Sequence, residues 1–195
     1  MKNSLYNFLL KIFFLRSDLS NYVKFKIFDI QIGKNSKVNG SLFLKGRGSI
    51  RIGDNVVINS NYFLNPIGGQ SFTSIVTEKN ATLNIENNVG ISNSAIYCSK
   101  KITIKKDVLI GGDCKIYDTD FHSIYLTDRK SVPERKTKTA PVIINQGVFI
   151  GTGSIILKGV EIGENSVIAA GSVLSKSVPQ NQVWGGSPAK FIKNI

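Results

Sequence analysis

A length of 195 residues, 42% of them hydrophobic and 19% charged, suits one soluble globular domain with a sizeable core and room for a short appendage. Lys and Arg number 25 against 13 Asp and Glu, a formal net charge of +12, so the surface attracts anions; nucleic acid is set aside as a partner because no basic stripe with interleaved aromatics and no nucleic-acid motif accompanies the charge. The two cysteines, Cys98 and Cys114, are too few for a disulfide framework and too separated for a CxxC pair, which points to a reducing, cytoplasmic compartment and to buried small hydrophobes rather than nucleophiles.

The N-terminal segment, 1–28, carries an apolar run from Leu5 to Leu15 interrupted by Asn7 and Lys11. It is far short of a membrane span, and no small-residue cleavage site follows it, so neither a transmembrane helix nor a signal peptide is expected. The expected element is a short helix whose apolar face caps the domain. Its basic residues, Lys2, Lys11, Arg16, Lys24 and Lys26, leave open peripheral association with an anionic membrane at its inner face.

From 29 to 178 the chain is organised by a period of six. Aliphatic residues recur at Ile144, Ile150, Ile156, Ile162, Ile168 and Leu174 in one frame, with Gly151, Gly163 and Ala169 following three of them. Earlier sets are Ile104, Ile110 and Ile116; Ile85, Ile91 and Tyr97; Ile52, Ile58 and Leu64; and, more weakly, Ile32, Val38, Leu44 and Ile50. A period of six is neither helical nor strand-alternating. It is the signature of an all-β parallel β-helix, in which each unit forms one face of a coil and three make a turn; a β-sandwich would show alternation of period two.

The frame slips between sets, so bulges or excursions are expected. One break runs from Asn65 to Thr82. A larger one, at about 121–141, separates Ile116 from Ile144 and holds Arg129, Lys130, Arg135, Lys136 and Lys138 without hydrophobic periodicity. Long loops in compact domains are usually functional or disordered. A tail, 179–195, follows the last repeat.

The chain has a single histidine, His122, at the entrance to that larger loop. Imidazole titrates near neutral pH and can act as a base. In an extended strand Asp118, Asp120 and His122 would share one side, with a carboxylate placed to orient the ring; the residues alone leave open which aspartate does so, and a surface histidine in an acidic loop is the plain alternative.

Residues 145–195, NQGVFIGTGSIILKGVEIGENSVIAAGSVLSKSVPQNQVWGGSPAKFIKNI, resemble the hexapeptide-repeat acyltransferases, nearest the galactoside, maltose and polysaccharide O-acetyltransferases. Residues 102–124, ITIKKDVLIGGDCKIYDTDFHSI, resemble the repeat-then-histidine segment of that branch. The resemblance implies a left-handed parallel β-helix, a homotrimer, and acetyl-CoA bound between neighbouring helices. It also implies His122 as the catalytic base, Thr152 where a backbone N–H faces the thioester carbonyl, and Ala170 beside the pantetheine arm. Ser175 and Lys176 match positions farther along that groove, and Lys190 and Lys193 match basic positions near the 3′-phosphate. Phe149 stands where the family commonly has Trp, and Ser187 where it has Asn; Trp184 is assigned to packing.

The implied reaction is direct acetyl transfer to a hydroxyl of a sugar or polysaccharide precursor, with His122 as base, Asp120 or Asp118 steadying it, and no metal. An amino-sugar N-acetyltransferase and a non-catalytic carbohydrate-binding β-helix are the alternatives. A carbonic anhydrase on a similar fold needs three histidine ligands for zinc, which a chain with one histidine does not supply. The basic residues of the 121–141 loop, Arg135 and Lys136 among them, are candidates for holding an anionic acceptor.

Overall fold

Each six-residue unit contributes a short strand with a large aliphatic residue turned inward, and the chain then bends. In the computed structural model, which describes residues 2–67, 69, 71–131 and 137–195 and side chains from residue 15 onward, these strands form three parallel sheets that enclose one core. The first sheet stacks Gln31–Ile32, Ser49–Ile52, Thr82–Ile85, Lys101–Ile104, Val142–Ile144 and Glu161–Ile162. The second stacks Lys37–Gly40, Val57–Ser60, Gly90–Ser92, Leu109–Ile110, Phe149–Ile150, Val167–Ile168 and Gln182–Gly186. The third stacks Phe43–Gly46, Ser74–Thr77, Ala95–Cys98, Lys115–Tyr117, Ile155–Ile156 and Val173–Leu174. The architecture is the expected parallel β-helix.

Register places like residues over like. Ile52, Ile85, Ile104, Ile144 and Ile162 form one inward column; Ile58, Ile91, Ile110, Ile150 and Ile168 form a second; Leu44, Ile75, Ile96, Ile116, Ile156 and Leu174 form the third. All of these are buried, and burying one such side chain contributes about 1.5–3 kcal/mol. The sequence frame errs where the phase slips. Tyr97 faces outward because Ile96 and Cys98 take the inward positions, and Leu64 lies in a turn; Ile32 stands in register with Ile52 at the head of the first column, where the first coil leaves it 39% exposed.

The turn between the first and second sheets repeats a backbone conformation. Asn35, Asn55, Asn88, Asp107, Gly147, Asn165 and Asn181 hold φ between 55° and 69°, each three residues before an inward side chain of the second sheet. That region costs most L-residues about 1–2 kcal/mol and is tolerated by Gly, Asn and Asp. Their side chains also rung the corner, Asn55 Nδ2 donating to Asn88 Oδ1 at 3.2 Å and Asn88 Nδ2 to Asp107 Oδ1 at 2.9 Å.

Two excursions leave the coil. The first, between the strands ending at Ser60 and beginning at Ser74, is shorter than its sequence signal, because Ser74–Thr77 rejoins the third sheet within the expected break. The second spans residues 118–141, between the third sheet and the first, and contains a one-turn helix, α2 (Leu126–Arg129). Arg135 and Lys136, raised above as acceptor contacts, lie outside the described residues.

The N-terminal helix, α1 (Lys2–Ile27), fills the expected segment 1–28, and among its described side chains polar groups and Phe25 make the attachment. Buried Asn21 donates from Nδ2 to Gly40 O at 2.8 Å and accepts the Leu42 N–H at 3.0 Å, while Lys24 Nζ donates to Leu42 O at 2.7 Å. Phe25 and Phe28 pack against the core. At the other end, Ala189–Asn194 folds back antiparallel on Gln182–Gly186, itself paired with Val167–Ile168, and Trp184 packs against the core with Nε1 donating to Gln182 Oε1 at 2.8 Å. Among the described residues no helix is long and apolar enough to cross a membrane.

Both cysteines are core residues, each 0% exposed. Burial, and then the adjacent Asp118 carboxylate, push the Cys98 thiol up to about 12, and burial raises Cys114 as well. Since the thiolate is the reactive form, neither cysteine should react with Ellman's reagent in the native protein at about pH 8, and both should react once guanidinium unfolds it. Rapid labelling of the folded chain would contradict this placement.

Candidate functional site

The strand that leads to His122 ends sooner than the alternation of Asp118, Asp120 and His122 suggests. Lys115–Tyr117 is its extent. Asp118 is fully buried, and its carboxylate accepts three backbone N–H groups of the neighbouring coil, from Ser99 at 2.6 Å and from Lys100 and Lys101 at 2.7 Å. Asp118 is therefore a structural acceptor that closes a turn, and the three residues do not share a strand face.

Beyond Asp118 the excursion is pinched at its base. Thr119 and Thr139 form an antiparallel bridge, the Asp120 N–H donates to Lys138 O at 3.0 Å, and the Ala140 N–H donates to Asp118 O at 3.0 Å. Phe121 then takes φ 63° while the His122 N–H donates to Asp120 O at 2.7 Å, a γ-turn of the rare, strained kind with its central residue at positive φ. For a bulky residue such a conformation costs on the order of 1–3 kcal/mol and persists only when its surroundings enforce it. They do so here: the Phe121 ring meets Tyr97 edge-on at 4.7 Å and Tyr117 at 5.1 Å, and Tyr97 Oη donates to Glu78 Oε1 at 2.8 Å. The aromatic clamp turns the next residue, His122, off the sheet and into solvent.

The far side of the loop is braced around Ser123. Its Oγ donates to Asp128 Oδ2 at 3.1 Å, and Arg129 Nη1 donates to Ser123 O at 2.7 Å. His122 lines a cavity of about 280 Å³ with Asp120, Ser123, Ile124, Tyr125, Lys138 and Lys158. Asp120 Oδ1 stands 2.6 Å from Lys158 Nζ, so a lysine of the coil holds the carboxylate nearest the histidine in sequence. Larger hollows, of about 410 Å³ beside α1 and about 520 Å³ at residues 177–180, do not include His122.

The other site residues occupy two edges of the third sheet and the end of the second. Thr152 and Ala170 stack in the turn between the second and third sheets, with the Gly153 N–H on Gly112 O and the Gly171 N–H on Thr152 O, each at 2.8 Å. Both are exposed, and among the described residues neither of their own N–H groups has an acceptor. Thr152 Oγ1 donates to Gly112 O at 2.7 Å, which fixes the turn. Ser175 and Lys176 lie at the opposite edge, where the Leu157 N–H on Leu174 O sets them one coil from Lys158. Thr152 is not part of the His122 cavity.

Lys190 and Lys193 are exposed on the terminal strand. Residues three apart on a regular strand point to opposite faces, but the pairing runs Gly185 with Lys190, Trp184 with Phe191 and Val183 with Lys193, leaving Ile192 as an extra residue. That bulge offsets the alternation by one and returns both lysines to one face. Lys138 is one of the basic residues of the loop expected to hold an anionic acceptor, and it lines the cavity, whereas Lys158 and the Tyr97–Phe121–Tyr117 clamp carry no functional signal in the sequence. Lys158 has no signal beyond its place two residues after Ile156 in the frame, and the clamp joins residues from different coils.

The C-terminal repeats, residues 141–176, match the family model described as bacterial transferase hexapeptide (six repeats). Over 157 residues the chain is 30% identical to WbbJ of Escherichia coli K12, named as a lipopolysaccharide biosynthesis O-acetyl transferase, covering 77% of this chain and 74% of that one. The chain belongs to the hexapeptide-repeat transferase family. The chain spans half or less of the length of several other curated relatives; one is a 2,3,4,5-tetrahydropyridine-2,6-dicarboxylate N-acetyltransferase of Clostridium perfringens, 50% identical over 64 residues, 33% of this chain and 27% of that one. Among solved structures, the hexapeptide-repeat acetyltransferase VCA0836 of Vibrio cholerae, crystallised with acetyl-CoA, superposes with a TM-score of 0.60 at 26% identity, over 89% of this chain and 75% of that one.

The two aspartates should separate cleanly in this member of the family. Asp118→Ala removes a buried carboxylate and leaves three part-buried backbone donors without it, and should lower unfolding free energy in urea by about 2–4 kcal/mol, whereas Asp120→Ala, at a partly exposed pair, should change it by less than about 1 kcal/mol. Equal losses would refute the structural assignment of Asp118.

Proposed function

We propose that the chain transfers an acetyl group from acetyl-CoA to a hydroxyl of a sugar or polysaccharide precursor, with His122 as general base. The observation that carries this reading is the placement of the chain's one histidine: a clamped turn presents it at a cavity beside the repeats that define the family. The imidazole removes the acceptor proton, the alkoxide oxygen bonds to the thioester carbonyl carbon, and the C–S bond breaks as the tetrahedral intermediate collapses; the imidazolium returns the proton to the departing thiolate. Asp120, held by Lys158, positions the ring. The Thr152 N–H, which has no acceptor among the described residues, is the donor for the developing oxyanion.

Small residues at Ala170 and Ser175 leave room for the pantetheine arm, and Lys176, Lys190 and Lys193 are the cations for the phosphates of CoA. VCA0836, with acetyl-CoA bound, supports the donor, and WbbJ supports a glycan hydroxyl as acceptor. An amine acceptor is the second reading, favoured by the Clostridium perfringens N-acetyltransferase, since the same base and oxyanion donor serve either nucleophile.

His122 and Thr152 stand at opposite edges of the third sheet, so one thioester reaches both only if a neighbouring copy supplies one of them. This supports a homotrimer. The outer face of the second sheet supports it too: Val57, Gly90, Leu109, Phe149, Val167 and Val183 lie in register as an apolar column, with Leu109 55% and Phe149 46% exposed. Phe149 keeps an aromatic surface in that column. We place the enzyme in the cytoplasm at the inner face of the membrane.

Release of CoA thiol from acetyl-CoA with a panel of hydroxyl and amino sugars tests the chemistry. His122→Ala should lower kcat by about 10²–10⁴-fold with little change in acetyl-CoA binding; a variant as fast as the parent would remove His122 from the mechanism. The double variant Leu109→Glu, Phe149→Glu should elute as a monomer on light-scattering chromatography and lose transfer, and an unchanged mass would displace the proposed interface.

A further inference from the structure

α1 attaches to the coil by one face and leaves the opposite face uncovered. Ser17 and Asn21 are buried on the attached side and Phe25 packs there against the core. On the other side Leu15, Leu19, Tyr22, Val23 and Ile27 are 75%, 65%, 60%, 45% and 70% exposed. They follow one another at helical spacings, and in sequence Leu5, Phe8, Leu9 and Ile12 continue the same spacing toward the N-terminus. Five large apolar side chains in a row form a patch beyond the scattered exposure ordinary on a protein surface.

Along α1 basic residues outnumber acidic ones, Lys2, Lys11, Arg16, Lys24 and Lys26 standing against the exposed Asp18. Arg16 stands three positions from Leu19, and Lys26 stands four from Tyr22, with its Nζ 5.8 Å from the Tyr22 ring centroid. Residues 1–17 include Lys2, Lys11 and Arg16 and no acidic residue. An anionic bilayer offers acyl chains to the stripe and phosphates to the cations, and a helix with this division lies in the headgroup plane.

We infer that α1 is a docking element for an anionic lipid bilayer, with Leu15, Leu19, Tyr22, Val23 and Ile27 inserted and Arg16 and Lys26 on lipid phosphates. The inference deepens the membrane-face part of the proposed function and is independent of the transfer chemistry. It makes the helix a tether that holds the coil, and the His122 cavity with it, near a lipid surface.

Co-sedimentation of the intact protein with phosphatidylcholine vesicles, with and without about 30% phosphatidylglycerol, at about 0.15 M salt tests it. The protein should pellet with the anionic vesicles and remain in solution with the neutral ones. Leu15→Glu, Leu19→Glu should abolish pelleting, and Arg16→Gln, Lys26→Gln should weaken it by about tenfold or more, both with unchanged assembly mass and unchanged transfer to a soluble sugar. Binding to neither vesicle, or equal binding to both, would overturn the inference. So would a change of assembly mass in the Leu15→Glu, Leu19→Glu variant, which would assign the stripe to another copy of the chain. Loss of transfer in the parent protein with intact vesicle binding would count against the proposed reaction and leave the docking inference standing.

Discussion

Three columns of aliphatic side chains can stack on one axis only if every six-residue unit turns at the same place and by the same amount. The repeated left-handed Asn, Asp or Gly three residues before each inward residue of the second sheet supplies that turn, and the side-chain rungs between successive Asn residues lock one coil to the next. The core then follows from register, because parallel pairing brings Ile52, Ile85, Ile104, Ile144 and Ile162 into line without any single long element. A unit that failed to turn would rotate every later inward residue away from the axis. This explains why long insertions are confined to corners: both excursions leave and re-enter where the chain already bends.

A stack this regular is poor ground for a reactive side chain, since each strand position repeats on its neighbours and nothing converges. Convergence occurs where the repeat is broken. The 118–141 excursion is drawn shut by antiparallel bonds at its base, and the energy of its strained turn at Phe121 is offset by aromatic contacts to two successive coils. The position of His122 is consequently set by the packing of Phe121 beneath it. The coil contributes Lys158 and, at its other edge, the N–H groups of Thr152 and Ala170, which have no acceptor among the described residues. Dividing these groups between edges makes an assembly of copies part of the proposed chemistry, with the apolar column on the second sheet as the means of joining them.

Fold and site were legible to different degrees. The inward positions of the C-terminal repeats followed from spacing alone, because period six leaves one consistent choice of face. Tyr97 and Leu64 misled for identifiable reasons: a one-residue slip exchanges inward for outward, and a turn consumes an aliphatic residue. For the site, His122 stood out by being alone. The alternation that grouped it with Asp118 and Asp120 presumed a strand that in fact ends at Tyr117, and the burial of Asp118 under three backbone donors could not be read without knowing which coil lay beside it. For α1 the attachment through Asn21, which meets two backbone groups of the first coil, could not be read from the spacing of the apolar residues.

The sequence by itself determined the period, and with it the coil, the inward residues and the two places where the repeat is interrupted, because hydrophobic burial at a fixed spacing depends only on the order of residues along the chain. Tertiary structure alone decided what depends on neighbours one coil away, some 16 to 40 residues distant in sequence. It decided that Asp118 is structural while Asp120 pairs with Lys158, and that Phe121 is clamped. It also decided that a bulge brings Lys190 and Lys193 to one face, and that the apolar stripe of α1 is left in solvent. Those outcomes rest on hydrogen bonds, ring contacts and register between separate turns of the coil, which no local pattern encodes.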